Sequence, residues 1–138
     1  MTQGARLGSA VIFVRELDRS VRFYRDVLSL EVVDRSPTAA LLRGAAGSQL
    51  VLRAMGGSAA HALGAVGVQF LVWNTASEAD LGTCERALRE RGAYRETRRT
   101  GAVTAVAGRD PDDITVMITY PGSDEVPAQE IPVAAYAW

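Results

Sequence analysis

Nucleophilic catalysis by a serine or cysteine needs a base within hydrogen-bond reach. This chain has one histidine, His61, and one cysteine, Cys84. His61 lies in a run of small residues, Gly-Gly-Ser-Ala-Ala-His-Ala-Leu-Gly, and reads as a solvated loop residue. Nothing in the sequence places it near Cys84. Cys84 falls in phase with Leu81 and Leu88, the spacing of an apolar helical stripe, and so reads as a small core residue. Asp110, Asp112 and Asp113 surround Pro111, where turn chemistry accounts for them. Gly44, Gly47, Gly56 and Gly57 do not form a phosphate-cradling loop that opens a helix. Arg95, Arg98 and Arg99 read as a solvated strand edge. No paired acid and base emerges.

Composition narrows the field further. At 138 residues and net charge −1, the chain is one domain's worth of sequence with no basic excess. Nucleic acid is therefore an unfavoured partner. No apolar run approaches the ~20 residues of a membrane span. Met1–Gly8 lacks the apolar core of a signal peptide, which makes a cytoplasmic location the default expectation. A lone cysteine fits a reducing compartment.

The elements that must position any site repeat. Leu7–Val14 reads as a strand, and Asp18 as the N-cap of a helix running to about Leu28. Strands follow at Glu31–Arg35, Ala39–Arg43 and Ser48–Ala54. Gly56–Gly64 forms a small-residue linker. Val68–Val72 (Val-Gln-Phe-Leu-Val) then answers Ala10–Val14 (Ala-Val-Ile-Phe-Val) at an offset of 58 (68 minus 10). Ser77 with Asp80 marks a capping box for a helix from about Glu78 to Arg91, which Gly92 ends. Strands at Tyr94–Arg98, Val103–Ala107 and Ile114–Tyr120 complete the second copy. This predicts an α+β chain of two βαβββ modules, about 7–55 and 66–120, with linker 56–65 and tail 121–138. The mixed sheets are expected to curl into a cup with the helices outside. The tail ends in Tyr136 and Trp138 and is expected to dock on the domain or on a second subunit.

Three features resemble the vicinal oxygen chelate superfamily, which holds glyoxalase I, extradiol dioxygenases and bleomycin-resistance proteins. They are the opening strand-turn-helix Val14–Leu28 with its Phe23-Tyr24 pair, the Asp110-Pro111-Asp112 turn, and the paired-module order. The resemblance implies four metal-ligand positions, falling at about Ser9, Val51, Gly67 and Met117. Zinc wants about four Cys, His, Asp or Glu donors, and iron or manganese wants His with carboxylate. Val51, Gly67 and Met117 offer none of these and Ser9 alone is a poor ligand, so no metal and no cofactor is expected.

Strand alternation sorts the faces. If Ala10, Ile12 and Val14 pack under the helix, then Ser9, Val11 and Phe13 face the hollow. The same parity brings Gln49, Val51 and Arg53, then Gly67, Gln69, Leu71 and Trp73, then Thr115, Met117 and Thr119. Such a lining is apolar with a few polar points, the usual make-up of a small-molecule site. The expectation is metal-independent binding of an apolar, aromatic-bearing small molecule. The resemblance adds two implications: antibiotic sequestration of the bleomycin-resistance type, and a homodimer. The alternatives are a metal-free lyase or isomerase acting on a small carbonyl substrate, and a glyoxalase- or dioxygenase-like metalloenzyme with ligands elsewhere.

Overall fold

The computed structural model describes residues 4–60, 66–122 and 124–126. His61 and the tail aromatics Tyr136 and Trp138 lie outside the described residues, as does most of the expected tail. The chain divides into two compact units, Met1–His61 and Ala62–Trp138.

The first unit runs β1 (Ser9–Val14), α1 (Leu17–Leu28), β2 (Glu31–Arg35), β3 (Ala39–Arg43) and β4 (Gln49–Ala54). Its sheet has the order β1-β4-β3-β2. The β1–β4 pair is parallel and the other pairs are antiparallel. The helix forms because Leu17, Val21, Tyr24 and Val27 recur at helical spacing and all bury. Phe23 and Tyr24 meet edge-on, ring centroids 5.1 Å apart. Across from them Ala40, Leu42, Leu50 and Leu52 present an almost fully buried sheet face. Each such large side chain contributes ~1.5–3 kcal/mol on burial. Asp18 is not the cap: Glu16 takes that position without a side-chain bond, and Asp18 stands in the first turn, paired with Arg35.

The second unit repeats this plan with β5 (Leu71–Asn74), α2 (Glu78–Glu90), β6 (Tyr94–Thr100), β7 (Val103–Arg109) and β8 (Thr115–Tyr120). Its order is β5-β8-β7-β6, again with one parallel pair, β5–β8. The fold is α+β, two βαβββ modules. Here the cap is as read: the Ser77 hydroxyl accepts from the Asp80 amide at 3.1 Å. Gly92 follows the helix at φ +66°, a conformation that suits glycine. Leu81, Cys84 and Leu88 form the buried stripe of α2. Gly108 on β7 lets that helix approach closely, because a Cβ there would lie 2.7 Å from both the Ala93 carbonyl and a Leu88 methyl.

One boundary moves. The opening strand of module two starts at Leu71, not near Val68. Gly67 sits at φ +138°, outside extended backbone for an L-residue, and the Gln69 side-chain amide donates to the Gly67 carbonyl at 3.0 Å. The pleat therefore begins only after this local turn. Among the described residues, no helix is long and apolar enough to cross a membrane.

Candidate functional site

Residues paired in register stand on the same sheet face, so the registers locate each expected site residue. In the first unit the helix-free face has three rows. Ser9 pairs with Gln49 and Gln49 with Arg43; Val11 with Val51 and Val51 with Leu41; Phe13 with Arg53 and Arg53 with Ala39. The six expected residues of this unit are thus brought together on one surface. Val11 is 61% and Phe13 57% exposed, while Val51, Leu41, Ala39 and Gln49 are half-buried. Arg53 is exposed, and among the described residues it has no hydrogen bond or ion pair. The β3 residues Ala39, Leu41 and Arg43 also belong to this face. Applying the alternation of β4 to its antiparallel neighbour would have found them.

In the second unit the registers divide the expected set. Gly108 faces Leu88 of α2 and pairs with Val116, which fixes the helix side of β8. Leu71 pairs with Val116 and Trp73 with Ile118, so both stand on the helix side. The expected placement of Leu71 and Trp73 beside Met117 is corrected accordingly. Gly67 and Gln69 precede the strand and share no strand face with it. Thr115 and Met117 do lie on the helix-free side, with Thr119, Val72 and Asn74. That side is closed: Met117 and Thr119 are fully buried, Ala107 is 1% exposed and Ala105 7%.

A polar relay closes its corner. The Thr119 hydroxyl donates to Asn74 Oδ1 and the Asn74 amide donates to Asp124 Oδ1, both at 2.9 Å. The Thr75 hydroxyl donates to the Thr119 carbonyl, also at 2.9 Å. Gly122 passes so near that a Cβ would stand 3.2 Å from Asn74 and 2.9 Å from Asp124. Pairing these groups offsets the cost of burying the Thr119 hydroxyl.

The other chemistry-bearing residues are structural. Asp110 Oδ1 accepts from the amides of Asp112 and Ile114, at 2.8 and 2.9 Å, and holds the turn before β8. Arg98 pairs with Glu96 at 3.0 Å on the outermost strand. Burial pushes the Cys84 thiol above its usual range and the Asp80 charge adds to the rise, opposite to what a nucleophile needs.

The positions where the family resemblance implies metal ligands hold a hydroxyl, two side chains without a hard donor and a glycine. The register moves the opening of module two to Val72 and Asn74, which supply no imidazole or carboxylate either. Among the described residues, no three His, Cys, Asp or Glu side chains gather. This donor set does not fit a divalent ion.

Residues 6–118 match the profile of the Glyoxalase/Bleomycin resistance protein/Dioxygenase superfamily. No curated protein matches the sequence significantly. Among solved structures, the chain resembles a glyoxylase/bleomycin resistance protein/dioxygenase domain from Frankia sp. EAN1pec, at TM-score 0.73 and 25% identity, over 85% of this chain and 98% of that one. It also resembles a lactoylglutathione lyase from Agrobacterium tumefaciens, at TM-score 0.66 and 20% identity, over 86% of this chain and 95% of that one. A third is the fosfomycin resistance protein FosX from Mesorhizobium loti, at TM-score 0.66 and 15% identity, over 91% and 98%. At 20% and 15% identity, the latter two speak for the fold alone.

Proposed function

The chain belongs to the glyoxalase/bleomycin resistance protein/dioxygenase superfamily, and from that premise we propose that it binds an apolar, aromatic-bearing small molecule without a metal ion. Sequestration of an antibiotic, by a homodimer, is the form of that activity that we propose. The scaffold does not choose the function, since it serves a lyase and a resistance protein alike. The residues must choose it.

The observation that carries the reading is the helix-free face of the first unit. Val11 and Phe13 stand 61% and 57% exposed beside Val51 and Leu41. Large apolar side chains gathered on one surface are a binding liability unless something covers them. A flat ligand removes that area from water at ~25 cal/mol per Å² and stacks on the Phe13 ring for ~0.5–1.5 kcal/mol more. Gln49, Ser9 and Arg53 supply the polar points that orient it. None of this uses an ion.

The test is a calorimetric titration of a broad panel of aromatic antibiotics, with amide chemical shifts recorded for each binder. Saturable binding with shifts centred on Val11, Phe13 and Val51 is the expected result. The reading fails if no compound saturates, or if shifts gather elsewhere. Sedimentation of the free and ligand-bound protein checks the homodimer.

A further inference from the structure

The charged residues of the proposed binding face have different register neighbours. Arg43 has a carboxylate, Glu31, as its register partner on β2. Asp34 accepts the Arg35 amide at 2.9 Å. Arg53 is different. Its partners are Phe13 on β1 and Ala39 on β3, and Val51 precedes it on the same face. Every one of these neighbours is uncharged. Arg53 therefore shares a row with an exposed aromatic residue, and it has no hydrogen bond or ion pair among the described residues.

We infer that the ligand carries a planar oxyanion, a carboxylate, next to its aromatic ring, and that Arg53 selects for it. The inference rests on the binding proposed above and adds the ligand's charge. A guanidinium presents two parallel N–H donors whose spacing matches a carboxylate, and it stays protonated at any working pH. Phe13, one strand away in the same row, takes the ring. Ring and charge on one ligand then meet ring and counter-charge in one row of the sheet.

The probe pair is 2-naphthoate and its neutral isostere 2-naphthamide, each titrated calorimetrically into the wild-type chain, Arg53→Gln and Arg53→Lys. Arg22→Gln, on the exposed side of α1, controls for net charge. The wild type is expected to prefer the acid by about tenfold or more, the scale of a charge-assisted hydrogen bond. Arg53→Gln should erase the preference by weakening the acid alone. Arg53→Lys should keep part of it, and Arg22→Gln all of it. Arg53 is exposed, so its variants should melt with the wild type, which separates selection from folding. Equal binding of both probes by the wild type overturns the inference and leaves the binding proposal standing. So does a preference that survives Arg53→Gln or falls equally with Arg22→Gln. Saturation by neither probe overturns the inference and counts against the binding proposal as well.

Discussion

The two modules share one plan and treat the same surface oppositely. Helices α1 and α2 begin at Leu17 and Glu78, and β4 and β8 begin at Gln49 and Thr115, offsets of 61 (78 minus 17) and 66 (115 minus 49). By these offsets Phe13 corresponds to Asn74, Arg53 to Thr119, Val51 to Met117, and Leu41 to Ala107. The first set carries exposed ring and charge, with Phe13 57% exposed. In the second, Met117 and Thr119 are at 0% and Ala107 at 1%, with Asn74 alone exposed. Bulk on the helix side is also exchanged. Leu42 and Val27 in the first unit correspond to Gly108 and Leu88 in the second, moving volume from sheet to helix. A repeat thus keeps its backbone while one copy buries most of its helix-free face and the other leaves Val11 and Phe13 on that face exposed.

Matched substitutions can break that contrast. Met117→Asp places a carboxylate where no water reaches and should cost more than ~4 kcal/mol, enough to unfold most of the population. Val11→Asp, on the equivalent face of the first unit, should stay within ~0.5 kcal/mol. Urea denaturation of both variants checks this, and similar costs would erase the distinction. Gly108→Ala should cost ~1–3 kcal/mol, because its methyl meets the Ala93 carbonyl and Leu88 at 2.7 Å and one of them must shift. The thermal midpoint reports it, and an unchanged midpoint would mean that α2 has room to spare.

Thr119→Val keeps the shape and removes the donor to Asn74, for ~1 kcal/mol measured by chemical denaturation. Its counterpart Arg53→Gln should leave stability within ~0.5 kcal/mol. The smallest effect is a pH slope. The folded Cys84 thiol titrates above its unfolded value, so the unfolded chain loses its proton first. The stability that this thiol contributes is fully present below the unfolded value, ~8.5, and declines as pH rises from there through the folded value. Denaturation at stepped alkaline pH should show the decline, and Cys84→Ala should flatten it. Phe23 corresponds to Cys84 in the first unit, so this dependence belongs to one module only.

Much of this was legible in the residues. Period-2 alternation placed β4, helical spacing placed α1 and α2, and Ser77 announced its cap. The six residues from β1 and β4 were correctly gathered because both strands run regularly and in parallel. The parity of β5 was not legible. It depends on where the pleat begins, and the positive φ of Gly67 interrupts the extended run ahead of Leu71, which apolar content cannot reveal. Two residues of slip would have kept Trp73 beside Met117, but the true displacement is odd and reverses every side chain. The closure around Met117 was also hidden. So was the polar corner beside it, where Asp124 and Gly122 reach Asn74, a contact 50 residues apart for the Asp124–Asn74 pair.

One of the two edge strands of each sheet carries an irregularity, at matching places: between Val32 and Asp34 in β2 and between Tyr94 and Glu96 in β6. A bulge twists a strand away from the straight line that a foreign strand could zip onto, and the charged residues Glu31, Asp34 and Arg35 or Arg95, Glu96 and Arg98 add repulsion. Each sheet therefore has a blunted margin that resists templating another copy. Fibre growth would need both margins of a sheet, so a concentrated preparation of this protein should stay colloidally quiet even with Val11 and Phe13 bare.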